Sequence, residues 1–405
     1  MSLADSRYRG WPLVTALSFA QLVSWGTIFY GFPLFVVPME AELGWSRGEL
    51  NGALSLGLLV AGLAALPVGR RIDSHGGRAI MSIGSLMAVL LCVVWSRVDS
   101  LPVFYAIWIG LGLTQALTLY TPVFAVLTRI FPADFKLRIT VLTLAGGLAS
   151  TVFIPIIAWA VEVLGWRDAL LLMAACNLVF CLPVHVLLLR DHARPVLPKA
   201  DVQAAVGSPP KDPLHRALRH PVFWGLAVCY TFYGLMHAML TFHFMPMFTE
   251  YGIPLAVAVG ILAVIGPAQV VARILLIFGG RIGTIGTGAI VMTVFVASIL
   301  LLALFPALVP VLFVFAALYG GANGMMTILR GTAAPDFLGR EGVGAINGAL
   351  TLPASIALAA GPSLAALIWE LSGGYTVVLF AVLAAAVLSA AGFAFAAYAA
   401  AAKAR

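Results

Sequence analysis

The sequence predicts an all-α membrane protein in which twelve transmembrane helices form two pseudo-symmetric six-helix bundles. Of its 405 residues, 62% are hydrophobic and only 10% are charged. A spanning helix needs about 20 apolar residues, so this apolar content is enough for twelve spans. The net charge is +7, from 23 Lys and Arg against 16 Asp and Glu. Because the basic residues lie mainly in loops assigned to the cytoplasm, the excess indicates positive-inside topology rather than nucleic-acid binding.

The spans can be placed in order on either side of one long polar segment. In the first half they are 11–38, 47–69, 79–96, 101–127, 139–163 and 167–189. In the second half they are 222–248, 255–279, 284–305, 308–329, 343–370 and 374–400. The polar segment is rich in proline, arginine and lysine, which is typical of a linker rather than a folded domain. We therefore predict an N-terminal bundle over 1–189, a cytoplasmic linker over 190–221 and a C-terminal bundle over 222–405.

The first span is predicted to be retained, with both termini in the cytoplasm of a multi-pass protein of the cell inner membrane. Arg7 and Arg9 precede an apolar stretch that is too long for a signal peptide and has no small-residue cleavage site. The four cysteines all lie in apolar stretches without the spacing of a metal site or a disulfide framework, so core packing is the expected role.

The two halves resemble each other behind their fourth spans. Segments 129–138 and 330–340 both contain Asp-Phe-x-x-Arg behind a proline and an arginine, and segment 280–283 is a weaker echo of the loop 69–78. Parallel repeats of this kind are typical of transporters that rock two halves around a central site. The repeated residues are predicted to take part in conformational gating: Asp134, Arg138, Asp336 and Arg340.

The loop after span 2 reads Gly69-Arg-Arg-Ile-Asp73-Ser-His-Gly76-Gly-Arg78. It resembles the G-x-x-x-D-x-x-G-R signature of the major facilitator superfamily, and with twelve predicted spans the resemblance covers nearly the whole chain. It implies the major facilitator fold, in which the aspartate caps a neighbouring helix end and pairs with arginine to hold the outward-open state. Charge-assisted bonds at a helix N-terminus can form and break in this way. Gly69, Asp73, Gly76 and Arg78 are therefore predicted gating residues.

A narrower resemblance rests on five short segments taken in order. These are Gly-Trp at 10–11, Tyr-Gly-Phe-Pro at 30–33, Gly-Trp-Ser-Arg at 44–47, His-Phe-Met-Pro at 243–246, and Gly-Pro-Ala-Gln-Val-Val-Ala-Arg at 266–273. Together they look similar to the monocarboxylate-porter branch and its bacterial relatives. The resemblance implies that Arg273 in span 8 binds a substrate carboxylate.

Two positions depart from that branch. Animal members carry a lysine where this chain has Leu34, and an aspartate where it has Gln269. Both groups are tied to proton coupling in the family, so the coupling route stays open here.

Arg273 is also notable from the residues alone, because it is the one charged side chain in the interior of a predicted span, away from the span ends. No Asp or Glu falls in the middle of a span. An intramembrane charge is expensive and usually faces a cavity with a partner. One interpretation is a carboxylate clamp, since the guanidinium is always charged and can bind an anion through two hydrogen bonds. The other is an arginine near the helix end that reaches to the interface. We predict the clamp, with an anionic substrate as the partner.

Polar and aromatic side chains on the helices that usually line such sites complete the predicted pocket. An aromatic collar around one cation suits a small amphipathic anion. Core packing is the alternative for each of them. The candidates are Trp25, Phe29, Tyr30, Gln115, Tyr120, Thr121, Gln269, Tyr319 and Asn323.

Two histidines in span 7 are candidates for carrying a proton. His237 and His243 stand six residues apart, about 240° around a helix of 3.6 residues per turn, so both face one cavity only if the helix is distorted. His243 matches the position in the family resemblance and is the predicted proton-coupling residue, because histidine changes charge near neutral pH. A structural histidine is the alternative.

The chain lacks sequence signs of catalysis. None of its lysines follows a glycine, so no Walker-type phosphate loop exists. No metal-ligand cluster or nucleophile–base spacing occurs, and we predict no cofactor, no metal and no enzyme activity. The predicted partners are a small-molecule substrate, membrane lipid and, as coupling candidate, a proton. We predict no nucleic acid and a monomer.

The predicted function is secondary active transport of a small, monocarboxylate-like organic anion across the inner membrane by alternating access. Two alternatives stay open. The first is an efflux transporter for a drug, a metalloid or a neutral metabolite. The second, a membrane solute sensor, would need a signalling domain larger than the segment 190–221.

Overall fold

The computed structural model describes residues 10–189, 213–278 and 282–404. Within these ranges the regular structure is helical, without strands. Twelve helices there are long and apolar enough to cross a membrane, which confirms the predicted fold class. Most of the predicted linker, the predicted N-terminal arginines and part of the weak repeat at 280–283 lie outside the described residues.

Spans 1 to 6 make up the first half of the chain. Span 1 consists of Trp11–Trp25, a π-helical segment Gly26–Tyr30 and Phe32–Leu43. Spans 2 and 3 are Arg47–His75 and Arg78–Trp95. Span 4 comprises Leu101–Thr118 and Tyr120–Ile130, and span 5 comprises Phe135–Gly147 and Ala149–Leu164. Span 6 is Trp166–Cys176 followed by two π-helical segments, Asn177–Cys181 and Val184–Leu188.

Spans 7 to 12 follow a short helix, Pro213–Leu218, and each is a single helix. They are Pro221–Glu250, Leu255–Phe278, Thr284–Leu304, Val309–Leu338, Val343–Ser372 and Tyr375–Ala404. The buried apolar side chains of this half form one continuous cluster, while those of the first half form two clusters. The apolar packing therefore follows the division into halves.

Several helices extend further than the apolar runs predict. Span 2 continues to His75 and span 10 to Leu338, so Asp73 and Asp336 lie on helices. The prediction that these spans end at 69 and 329, with both aspartates in loops, is wrong. An apolar run marks only the part of a helix inside the hydrocarbon, whereas backbone hydrogen bonding continues into the polar ends.

Four spans of the first half have interrupted α-helices: spans 1 and 6 by π segments, span 4 at Leu119 and span 5 at Leu148. Backbone groups released at such points need new partners, because lipid supplies none. Gln21 Nε2 donates to the carbonyl oxygen of Thr118 at 2.6 Å, where the first helix of span 4 ends. Gln115 Nε2 donates to the carbonyl oxygen of Ile28 at 3.3 Å, inside the π segment.

The two halves meet closely where span 2 crosses span 11. A Cβ atom built on Gly69 would lie 1.9 Å from the carbonyl oxygen of Gly344, and one on Gly348 would lie 2.4 Å from that of Ala65. Only glycine permits this approach of two backbones, as in other small-residue helix contacts. Gly69 and Gly344 lie at the end of the molecule where span 6 ends and span 7 begins. We call this end the linker side and the opposite end the far side.

Candidate functional site

Arg273 is buried between the halves, with 2% of its surface exposed. Its Nε donates to the carbonyl oxygen of Gly324 at 3.2 Å, and its Nη2 donates to Gln269 Oε1 at 3.4 Å. Gly324 is in the middle of span 10, so the guanidinium lies at mid-membrane depth although Arg273 is near the end of its own helix. The side chain therefore extends into the protein, not toward the headgroups.

One donor of this guanidinium has no protein partner among the described residues. Arg273 Nη1 is buried and makes no hydrogen bond. It faces span 5 of the other half, where a Cβ atom on Gly147 would lie only 1.7 Å away. The groups that interact electrostatically with Arg273 are hydroxyl-bearing rings of both halves, Tyr120, Tyr30 and Tyr233. A buried cation surrounded by neutral donors and acceptors is suited to bind an anion.

Aromatic side chains of spans 1 and 4 form the first-half side of this region. The ring of Trp25 lies 5.0 Å from Phe29, 5.9 Å from Tyr30 and 4.8 Å from Tyr120 between centroids. Tyr120 also stacks on Phe124 at 5.2 Å. The structure thus brings together Phe29, Tyr30 and Tyr120 of the predicted pocket. Gln115 is part of the helix packing here, since its amide holds the π segment of span 1.

Polar side chains of spans 7 and 10 form the second-half side. The Tyr233 hydroxyl donates a short hydrogen bond to Asn323 Oδ1. His237 Nδ1 and the Tyr319 hydroxyl are 2.8 Å apart and share a hydrogen bond. The His237 ring stacks between those of Tyr233 and Tyr319, at 5.7 Å and 6.4 Å. Asn323 and Tyr319 are therefore brought together in one network, with two residues of span 7 that are absent from our predicted site.

His243 lies apart from this network, in contact with spans 11 and 12. Its Nδ1 is 2.8 Å from the Tyr375 hydroxyl, and its Nε2 is 3.0 Å from the carbonyl oxygen of Pro362. The helix of span 7 runs without interruption to Glu250. The two histidines therefore have different surroundings, as their angular separation predicts. The proton-coupling role of His243 stays a prediction.

Asp73 connects the halves on the linker side. Its two carboxylate oxygens accept hydrogen bonds from the backbone N–H groups of Gly344 at 2.9 Å and Ala345 at 2.8 Å. These groups are at the start of span 11, where the helix dipole favours a negative charge. Arg129 Nη1 donates to the carbonyl oxygens of Ile72 and Asp73, both at 2.7 Å. The aspartate is thus held between a helix N-terminus and an arginine.

Two other members of the span 2 motif support the loop rather than the interface. Gly76 ends the helix with a positive φ of 85°, a conformation that glycine adopts without strain. Arg78 Nε donates to the carbonyl oxygen of Val186 in span 6 at 2.9 Å. Both contacts stay within the first half. Gly69, in contrast, provides the close approach to Gly344 described above.

The repeated Asp-Phe-x-x-Arg segments have different partners in the two halves. Asp134 forms an ion pair with Arg138 at 2.8 Å, and the buried Arg138 guanidinium lies 3.7 Å from the ring centroid of Phe131. Asp336 instead forms a short ion pair with Lys136 of the other half and accepts a short hydrogen bond from Thr284. The Arg340 guanidinium lies 5.5 Å from the ring centroid of Phe135, also across the interface.

Sequence reasoning missed a symmetric pair of glutamates on the far side. Glu42, at the end of span 1, accepts hydrogen bonds from Trp166 Nε1 at 2.5 Å and Arg167 Nε at 2.9 Å, at the start of span 6. Glu250, at the end of span 7, accepts from Trp369 Nε1 at 2.6 Å and from the backbone N–H of Tyr375 at 2.9 Å, at the start of span 12. Each glutamate follows the predicted first span of its half, and this equivalent position is the sequence feature that could have identified the pair.

The remaining missed residues had weaker signals. Lys136 lies inside the repeated segment next to two predicted residues. Tyr233 and His237 lie on one stripe of span 7, which fits core packing equally well. Gly147 is one of many glycines in the chain, and its role depends on a side chain from a distant helix.

Twelve spans, two packed halves and a buried cation between them define a multi-pass membrane transport protein. A family model described as Major Facilitator Superfamily matches residues 17–362, and the chain belongs to this superfamily. Its members are transporters rather than enzymes, as the sequence predicts for this chain.

Among curated proteins, the chain is similar to Monocarboxylate transporter 13 of Rattus norvegicus and of Bos taurus. Each is 26% identical over 375 residues, which cover 91% of this chain and 84% of the relative. It is also similar to the Probable L-galactonate transporter of Escherichia coli (strain K12), 25% identical over 201 residues, which cover 46% of this chain and 43% of the relative.

Two solved structures share the fold. The human organic anion transporter MFSD10 (TETRAN) aligns with a TM-score of 0.69 and 17% identity, covering 96% of this chain and 98% of that one. The transporter FucP, in the outward conformation, aligns with a TM-score of 0.69 and 12% identity, covering 95% and 98%. At these identities the likeness shows the fold alone.

Proposed function

We propose that this protein is a secondary active transporter that moves a small, monocarboxylate-like organic anion by alternating access. The observation that carries the proposal is the Arg273 guanidinium, which is buried between the two halves and has one donor without a partner among the described residues. An unpaired buried donor on a charged group is costly, and an anion that binds it recovers that free energy. The site then selects negative charge by its own unmet bonding capacity.

The surroundings of Arg273 favour a small organic acid over an inorganic ion. Tyr30 and Tyr120 interact electrostatically with the cation, and Trp25 and Phe29 extend their aromatic surface. A carboxylate with an apolar body can bind the guanidinium through its oxygens and pack its carbon atoms on these rings. The similarity to the two mammalian proteins named monocarboxylate transporters supports the same class of substrate.

The arrangement of the interface supports alternating access. Arg273 belongs to the second half, while Gly147, Tyr30 and Tyr120 near it belong to the first half, so a ligand bound there contacts both. Asp73, Lys136 and Arg340 connect the halves on the linker side. Breaking those contacts and re-forming others on the far side would expose the site to the opposite compartment.

We infer that the linker side faces the cytoplasm and that the protein lies in the inner membrane, because the loops on the linker side carry most of the basic residues. The bundles 1–189 and 222–405 are then joined by a cytoplasmic linker, and the present conformation is closed toward the cytoplasm. If one proton accompanies each monoanion, the cycle is electroneutral and moves no net charge against the membrane potential. His243 is the proposed carrier of that proton.

Uptake of labelled lactate or pyruvate into liposomes that contain the purified protein tests the proposal. We expect Arg273→Gln to reduce uptake at least tenfold, because charge-assisted hydrogen bonds contribute about 1.5–3 kcal/mol. Arg219→Gln is the matched control, since it removes the same charge at an exposed position of the loop before span 7. Equal uptake by Arg273→Gln and wild type would exclude the anion clamp.

A further inference from the structure

We propose that Trp25 is a specificity-determining residue of this site and that its indole N–H binds a second, neutral acceptor oxygen of the substrate. The inference rests on the proposed function, in which Arg273 binds the carboxylate. It adds a requirement that the carboxylate alone does not impose: an acid with a hydroxyl or keto oxygen is preferred over the same acid without it.

The first observation is an unmet donor. Trp25 Nε1 is buried and has no hydrogen-bond partner among the described residues, as is also the case for Arg273 Nη1. Four other indoles do have acceptors, namely Met39 Sδ for Trp95, Glu42 for Trp166, the Leu218 carbonyl for Trp224 and Glu250 for Trp369. A buried N–H without an acceptor destabilises the protein, and a ligand oxygen can satisfy it.

The second observation is that the two residues with unmet donors both lie near the side chain of Tyr120. The Trp25 ring packs on the ring of Tyr120, with centroids 4.8 Å apart. The Tyr120 hydroxyl lies against Gly146, where a Cβ atom would be 2.5 Å from it. The next residue along the helix, Gly147, is the one that faces Arg273 Nη1. Both residues therefore lie in the region around Tyr120, and the proposal is that one small ligand contacts the two donors together.

The third observation is the backbone that holds Trp25. The residue directly precedes the π segment Gly26–Tyr30, and π turns within helices occur frequently at functional sites. Side chains from two other spans fix this segment: Gln115 Nε2 donates to the Ile28 carbonyl at 3.3 Å, and Asn177 Nδ2 donates to Thr27 Oγ1 at 2.8 Å. The position of the indole is thus determined by packing in the absence of substrate.

Trp108 provides a comparison, because its indole N–H is also unpaired among the described residues but lies away from the site. Its ring is fully buried and packs on Phe32, Trp95 and Phe104 in the apolar core. Trp25 is half-buried, and its ring packs on Tyr30 and Tyr120, which interact electrostatically with Arg273. The acceptor that we assign to Trp25 is neutral, because among the described residues Arg273 is the one cation that interacts with Tyr30 and Tyr120, and the substrate carboxylate already binds it.

Competition uptake in liposomes tests the inference with two pairs of acids, lactate against propionate and 4-hydroxybutyrate against butyrate. We expect the wild type to prefer the hydroxylated acid in at least one pair, by about fivefold for one neutral hydrogen bond. Trp25→Phe keeps an aromatic ring but removes the N–H, so the preference should fall to near one while uptake of the unsubstituted acid continues. Trp108→Phe is the matched control and should keep the wild-type preference.

The outcomes separate the two proposals. An unchanged preference in Trp25→Phe, or no preference in the wild type for either pair, overturns the role of Trp25 and leaves Arg273 untouched. Acid uptake that is the same in wild type and Arg273→Gln overturns the anion site, and the inference about Trp25 falls with it.

Discussion

Arg273 and Gly147 are related by a steric requirement: the guanidinium of one occupies the space where the other would carry a side chain. An ideal Cβ atom at Gly147 would lie 1.7 Å from Arg273 Nη1. The two residues belong to different halves, so this contact positions the cation in the interface itself. The absence of a side chain at Gly147 therefore determines where the guanidinium that we propose to bind the anion can lie.

Gly147→Ala should weaken substrate binding by moving the guanidinium. We expect the KM for the transported acid to rise about tenfold, comparable to losing one charge-assisted hydrogen bond. Gly266→Ala in span 8 is the matched control, because no atom of the described residues lies within 4 Å of a Cβ at that position. In an Arg273→Gln background the Gly147→Ala change should have little further effect. An equally large effect in that background would mean that Gly147 acts only through folding.

Asp73→Asn should shift the protein away from the conformation that is closed on the linker side. The carboxylate accepts two backbone N–H groups of span 11, and charged hydrogen bonds are worth about 1.5–3 kcal/mol. We expect a cysteine at position 345, where Ala345 is 4% exposed, to be alkylated at least about tenfold faster in Asp73→Asn. The measurement is made in a Cys176→Ala background, because Cys176 is the partly exposed cysteine of the described residues.

The same alkylation experiment has an internal control. Asp99→Asn removes a carboxylate from an exposed position in the loop between spans 3 and 4, on the far side. Its labelling rate at position 345 should match that of the parent protein. If Asp73→Asn also labels at the parental rate, the hydrogen bonds to span 11 do not hold the linker side closed.

The ion pair between Lys136 and Asp336 should contribute less to closure than Asp73. Lys136 has 48% of its side chain exposed and Asp336 has 17%, and solvent-exposed pairs are worth about 0.2–1 kcal/mol. A double-mutant cycle with Lys136→Gln and Asp336→Asn, read by the same labelling rate, should give a coupling energy below about 1 kcal/mol. A coupling energy larger than the effect of Asp73→Asn would mean that the ion pair contributes more to closure than Asp73 does. Asp336→Asn alone should cost more, because it also weakens the bond from Thr284.

His243→Gln should uncouple proton movement from substrate movement if His243 carries the proton. We expect substrate-driven proton uptake to be lost while exchange of labelled for unlabelled acid across the membrane continues, since exchange needs no net proton transfer. His237→Gln is the comparison, because His237 shares its hydrogen bond with Tyr319 of the second-half network. Loss of proton uptake in His237→Gln with retention in His243→Gln would move the role to His237.

Much of the fold was accessible from the sequence because hydropathy acts locally. The twelve apolar runs, their order and the polar segment between the halves require only composition, and each run maps to one observed membrane span. The positions of helix ends were harder to predict from the sequence, because Asp73 and Asp336 lie beyond the apolar runs but still on helices. The repeat around Asp134 and Asp336 was visible, yet its two copies pair differently. Ion pairing depends on which helix lies opposite, and a local motif carries no record of that.

The sequence by itself determined that Arg273 is a charge inside a helix without a carboxylate nearby in the chain, because both features follow from residue identity and spacing. Only the tertiary structure decided what surrounds that charge. Gly147 and the rings of Tyr30 and Tyr120 reach it from spans far away in sequence, and His243 lies elsewhere. Contacts between distant segments arise from the packing of whole helices, so the composition of a site is a property of the folded chain.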